Sequence, residues 1–266
     1  MTLKRLFLLI PLFAAVSTFA QSTTTTTPVV RDPQAVALLQ QCSQAMGTPN
    51  PSLAILASGQ INSTAHPGEQ GTITIELQGY TQLRLAAAYS NAQEVEIVNN
   101  GQTQFTRNSA NVPLAPWQAT YFRPDHVPAL ACAIDITRPQ MNIAYIGPET
   151  VNDVPVHHIR IFASPQTLPD GSQTLDPIIS EFDVYLNTAN FTVVKTKRFL
   201  FSPNAIENHS DWETYYFNYQ PVNGVLMPFH IQHFLAGQQS EDVVISTYQM
   251  NASLSSQDFS LAPSSN

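Results

Sequence analysis

Positive charge is scarce in this sequence. Eleven Lys and Arg stand against nineteen Asp and Glu, and charged residues make up 11% of the 266 positions, where an average soluble protein has roughly 25%. After residue 20 the only lysines are Lys195 and Lys197. Nucleic acids and anionic membrane surfaces are bound by clustered Lys and Arg, so neither is an expected partner. Glycine is scarce too, at ten residues, which leaves little material for phosphate-cradling loops. The patterns G-x-S-x-G, H-E-x-x-H, S-x-x-K and C-x-x-C and the P-loop are absent, and with them the motif-borne hydrolase, zinc and nucleotide chemistries. Two cysteines, Cys42 and Cys132, allow one intramolecular disulfide at most.

Long apolar runs are also missing. The longest stretch, Leu6 to Val16, is interrupted by Pro11 and is about half of the roughly 20 residues that span a bilayer. It follows Lys4 and Arg5 and precedes Ser17-Thr18-Phe19-Ala20, the layout of an export signal cleaved after a small residue. Residues 1–20 are therefore expected to be a signal peptide, and the mature protein to be periplasmic or secreted. Its removal leaves nine basic and nineteen acidic residues, a net charge of −10 with histidines neutral. Residues 21–30, with Thr23 to Thr27 in a row, read as a disordered leader. Residues 31–266 then form one domain, expected to be a monomer.

Asp32-Pro33 opens the clearest helix. Val36, Leu38, Leu39, Cys42 and Met46 recur at helical spacing, and Gly47 stands just past the end. Short alternating segments follow, separated by turns such as Asn100-Gly101, Asp170-Gly171 and Asn223-Gly224, the pattern of an antiparallel sheet built from hairpins. Ten or eleven strands are expected, one of them over 178–186. Between Pro116 and Thr137 the alternation stops, and Trp117, Tyr121, Phe122, Val127, Leu130, Ala131 and Ile134 appear among prolines. One or two short helices are expected there, started by Pro124-Asp125. The first helix and this insert hold one cysteine each. In an oxidising compartment a Cys42–Cys132 bridge would pin them together, with two buried thiols as the alternative.

The polar residues give no local catalytic or metal pattern. His157 and His158 point to opposite faces of a strand, as do His230 and His233, so neither pair chelates; half-exposed strand positions are expected. Glu94/Glu96, Glu181/Asp183 and Asp211/Glu213 share a face within each pair, which suits acid and base roles in a glycosidase and more simply a solvated sheet face. Four Asn-x-Ser/Thr patterns, at Asn62, Asn190, Asn208 and Asn251, matter only in a eukaryotic secretory pathway. Trp212, Tyr215, Tyr216, Phe217, Tyr219, Phe229, Phe234 and Tyr248 place rings on both strand faces. Either a thick core or an apolar cavity under a helical lid accounts for them.

The order of elements resembles a known family. The helix ending near Gly47, then Leu56-Ala-Ser-Gly-Gln-Ile61, Gly71-Thr-Ile-Thr-Ile-Glu-Leu77, Leu83-Arg84-Leu85 and Glu96 to Phe105 are similar to the start of LolA/LolB-like periplasmic lipoprotein carriers and outer-membrane lipoprotein-sorting proteins. Val151 to Ile159, Asn223 to Pro228 and Leu254 to Phe259 resemble that fold's broader secreted relatives. The resemblance implies a mainly β fold with a helical lid: an incomplete antiparallel barrel wrapped around both helices and enclosing a cavity for acyl chains. It implies binding and not catalysis, without a cofactor, with Arg84 matching an arginine that helps to hold the lid. The expected ligand-binding residues are Arg84, Trp117, Tyr121, Phe122 and Leu130, with Phe182, Val184, Tyr216 and Phe229 from the sheet. The partners are lipid or lipoprotein acyl chains. An envelope scaffold that binds a protein partner is the alternative, and a secreted hydrolase ranks last.

Overall fold

The computed structural model describes residues 28–47, 50, 52–115 and 117–261. The expected signal peptide and residues 21–27 of the leader lie outside the described residues. Helix α1, Pro33–Met46, forms as its sequence dictates: the Asp32 carboxylate accepts hydrogen bonds from the amides of Gln34 and Ala35, Pro33 occupies the first turn, and Gly47 leaves at φ 79°. Its Ala35, Leu38, Leu39, Cys42 and Met46 are buried.

The strands that follow are β1 (Ala54–Ser63), β2 (Gln70–Gln78), β3 (Gln82–Ala88), β4 (Gln93–Asn99), β5 (Gln102–Arg107) and β6 (Ala110–Val112). Helix α2, Pro128–Thr137, separates them from β7 (Met141–Val151) and β8 (Val154–Ala163). A short helix α3, Asp176–Ser180, leads into β9 (Phe182–Asn187), β10 (Val193–Ser202), β11 (Ala205–Val222), β12 (Val225–Leu235) and β13 (Gln238–Met250), and a 3₁₀ turn, Ser256–Phe259, follows. All thirteen strands join one antiparallel sheet in the order β6-β5-β4-β3-β2-β1-β13-β12-β11-β10-β9-β8-β7. The sheet is open, with β6 and β7 as its edges. It is the expected incomplete barrel with a helical lid, with more strands than the ten or eleven expected; β6 has three residues, too few to show a period.

Two boundaries are corrected. Residues 178–180 belong to α3, and the strand starts at Phe182, because Pro177 in the first turn favours helix there. The mid-chain helix starts at Pro128 and not at Pro124, and turns precede it. Every residue of α2 from Pro128 to Asp135 is buried, as a helix that is apolar all round requires. The helices α1 and α2 pack on each other, and both touch β12. Their side chains share one core with Ile55, Ile73, Ile75, Leu77, Leu83, Phe182, Val184 and Ile231 of the sheet.

The expected disulfide is also corrected. Both cysteines are buried free thiols, with Sγ atoms 2.9 Å apart, where an S–S bond is about 2.05 Å. The helices do bring the two residues together, which is the part of the expectation that holds.

Candidate functional site

The sheet curls so that its two halves face each other across a pocket of about 110 Å³. Its register determines which side chains enter. From one half come Phe105, opposite Glu96; Glu96, opposite Leu85; Glu94, opposite Ala87; and Ala87, opposite Ile73. From the other half come Arg198, opposite Trp212, and His233, opposite Glu241. Asp125 and His126, in the turn before α2, supply the roof, and Ile61 contributes to the wall. Apolar and charged side chains therefore line the same pocket, with Glu96 between Leu85 and Phe105.

Three carboxylates here differ in their company. Glu94 is ion-paired with Arg107 at 2.7 Å and His66 at 3.1 Å. Asp125 lies 3.4 Å from Arg198 and 3.2 Å from His126. Burial alone would raise the Asp125 carboxyl, and Arg198 and His126 outweigh it, holding the group well below the usual carboxylate range. Burial would likewise lower the His126 imidazole, and the contact with Asp125 reverses that and raises it. Glu241 has no such partner. Burial is the main cause that pushes its carboxyl up to about 7, and the neighbouring Glu96 and Glu94 add to the shift against His126. Burial raises Glu96 in the same way.

His233 is fully buried, and its Nδ1 bonds the Thr214 hydroxyl at 3.1 Å. Its Nε2 is 4.0 Å from Glu241 and has no hydrogen-bond partner. Burial and the charge of His126 push the ring down to about 3, so it is neutral at neutral pH. Trp212 stacks on it with centroids 5.0 Å apart, and the indole Nε1 also lacks a partner.

Glu94 and Glu96 correct the solvated-face reading of that pair. On β4 it is Val95 and Ile97 that line a groove on the opposite face, beside Arg84 and the 3₁₀ turn. Phe259, fully buried under that turn, covers this outer surface and removes the need for it to be polar. His233 corrects the half-exposed reading of the histidines. Its burial is tolerated because it is uncharged and bonded to Thr214.

The nine residues expected to bind ligand fall into separate places. Arg84 is on the outer face, 3.2 Å from Glu76, because Leu83, its neighbour in the strand, takes the core side. Tyr121, Phe122 and Phe182 are brought together around a cavity of about 30 Å³, with the Tyr121 hydroxyl on Asp176. Leu130, Val184 and Tyr216 are core, and the Tyr216 hydroxyl donates to the Asp125 carbonyl at 2.6 Å. Trp117 packs edge-on against Phe201, and Phe229 against Tyr248. None of the nine lines the 110 Å³ pocket. The sequence did carry one signal for it: the Asn100-Gly101 turn sets the β4–β5 hairpin register, which puts Glu96 opposite Phe105.

Among the described residues no helix is long and apolar enough to cross a membrane. No family model and no curated protein matches the sequence. Solved structures do match. The LolA superfamily protein NE2245 from Nitrosomonas europaea is 12% identical, over 85% of this chain and 97% of that one, with a TM-score of 0.51. A putative outer membrane lipoprotein-sorting protein domain from Vibrio parahaemolyticus is 8% identical, over 85% and 96% of the two chains, with a TM-score of 0.49. A DUF1329 family protein from Desulfovibrio piger is 9% identical, over 87% and 98%, with a TM-score of 0.47. The open antiparallel sheet, curled around a helical lid, is a distant LolA-like fold.

Proposed function

We propose that the protein is an extracytoplasmic binding protein that holds an apolar ligand, such as an acyl chain of a lipid or lipoprotein, on the concave face of its sheet. It performs no chemistry on that ligand and works as a monomer. The observation that carries this reading is an apolar strip that the helices leave partly uncovered: half-buried Leu85, Ala87 and Phe105 continue into buried Ile61 and Ile73. The export-signal pattern of residues 1–20 supports the compartment.

Pockets that enclose a drug-sized molecule measure roughly 300 Å³ or more. At about 110 Å³ this pocket takes the first few carbons of a chain, and the rest lies along the strip. Titration with a pyrene-labelled dodecanol, a neutral probe, tests the reading. Saturable binding that Phe105→Asp abolishes is expected; binding unaffected by that substitution, or none at all, overturns it.

A further inference from the structure

We infer that the carboxylates lining this pocket, with His233, form a site for an alkylammonium group, so that the ligand of the proposed carrier is an amine with an apolar tail. The inference rests on the binding-protein reading and adds the chemistry of the head.

Charge is the first argument. Four carboxylates line the pocket, those of Glu94, Glu96, Asp125 and Glu241. The protein's own cations answer two of them: Arg107 and His66 hold Glu94, and Arg198 and His126 hold Asp125. Among the described residues Glu96 has no direct ion pair or hydrogen bond, and the nearest such contact of Glu241 is the neutral His233 at 4.0 Å, with His126 acting from farther away. Arg198 and His126 act on these two from a distance, yet burial still raises both carboxyls, and half-buried carboxylates without a direct ion pair are costly in the empty protein. A cation entering the pocket removes that cost.

The second argument is independent of the acids. His233 is fully buried, lines the pocket and leaves Nε2 without a partner. Buried polar atoms are nearly always bonded, so an orphan aimed into a cavity marks a missing ligand atom. In the tautomer that carries its proton on Nδ1, Nε2 presents a lone pair, and an ammonium N–H is the donor that fits it.

The third argument selects an organic cation over a metal ion. Among the described residues no three His, Cys, Asp or Glu side chains are placed so that they could hold one metal ion. The same pocket holds Trp212, Phe105, Leu85, Ile61 and Ile73, which suit a carbon skeleton and an aromatic-face contact with a cation. About 110 Å³ accommodates the ammonium and a short run of methylenes.

Calorimetric titration of the wild-type protein at pH 8 with octylamine, octanol and octanoate, each kept below its aggregation limit, tests the inference. A charge-assisted hydrogen bond contributes enough to predict octylamine binding at least about tenfold tighter than octanol. In the Glu96→Gln, Glu241→Gln double variant that preference is lost, while a wild-type circular dichroism spectrum and melting curve report an intact fold. Equal affinity for the three heads, a preference for octanoate, or a preference that survives in the double variant overturns the ammonium site and leaves the apolar carrier standing. No binding of any of the three overturns both. Ethylamine is the further arm: binding as tight as that of octylamine assigns the site to free soluble amines, and much weaker binding assigns it to an amphiphile.

Discussion

Arg123 clasps Asp135 with two hydrogen bonds, Nε to Oδ2 at 2.7 Å and Nη2 to Oδ1 at 3.1 Å, and both side chains are almost completely buried. The same guanidinium donates to the Ser180 carbonyl and lies 4.7 Å above the Phe182 ring. One residue thus ties the turn before α2 to α2 itself, to the end of α3 and to the start of β9.

Replacing Arg123 with Ala removes both charge-assisted hydrogen bonds from the fully buried Asp135 carboxylate and leaves it only Arg138, at 3.7 Å. Breaking a buried pair from one side costs about 3–5 kcal/mol. The urea midpoint of Arg123→Ala should fall accordingly, while Arg123→Met combined with Asp135→Leu should recover most of the loss. A single variant with a wild-type midpoint would remove this pair from the account of how the lid is held.

The two thiols at 2.9 Å predict ready oxidation. The Cys42 contact, and after it burial, raise the Cys132 thiol, which lowers its thiolate fraction and leaves the proximity unchanged. Incubation with oxidised glutathione should form the Cys42–Cys132 bond, the two thiol protons and two electrons passing to one glutathione disulfide, which leaves as two glutathione thiols. Closing so long a loop stabilises by roughly 4–5 kcal/mol in the chain-entropy account. Thiol counts in denaturant before and after oxidation, with melting curves, check both statements; two free thiols after oxidation would refute the first.

Glu241 should give the protein a pH-dependent stability. Its folded pKa of about 7 exceeds the ordinary value, so between pH 4.5 and 7 the folded state keeps a proton that the unfolded state has released. Stability therefore falls as pH rises through that window. His126 faces the same space, and its raised pKa acts in the same direction; neutral His233 opposes it by losing stability below pH 6.5. Glu241→Gln should be more stable than wild type at pH 8 by on the order of 1 kcal/mol, after allowance for solvent screening, and nearly unchanged at pH 4. Chemical denaturation at the two pH values measures the difference.

Gly47 and Gly101 both have positive φ, at 79° and 84°, and they predict unequal costs on substitution. A Cβ on Gly47 would stand 2.1 Å from the Gly224 carbonyl oxygen, whereas at Gly101 it would meet nothing within 4 Å. Gly101→Ala should cost about 1–2 kcal/mol for the left-handed conformation alone. Gly47→Ala adds a backbone clash and should cost about 3 kcal/mol or more. Equal melting temperatures for the two variants would contradict the close approach of α1 to the β11–β12 turn.

Much of the fold was legible along the chain. Asp32, Pro33 and Gly47 mark both ends of α1, and the alternation of Ile73, Ile75 and Leu77 identifies the core face of β2. The site was harder to read, because alternation gives the parity of a strand but not which face turns inward. On β4 both faces are amphipathic, Glu94 and Glu96 on one and Val95 and Ile97 on the other, and a 3₁₀ turn from the far end of the chain decides between them. Likewise no local pattern joins Glu96 to His233 and Glu241, which curl and not spacing brings together.

The strand order places β1 beside β13, with Ile55 opposite Met250 and Ser63 opposite Glu241. Each half of the sheet is a run of hairpins between neighbours in sequence, and one seam between the start and the end of the chain joins the halves. While the protein folds, β1 therefore remains an open edge until β13 pairs with it, a state that exposes it to pairing with other chains. The pocket straddles the same seam, with Ile61 and Glu241 on its two sides. The binding site thus comes into being only when β13 has closed on β1.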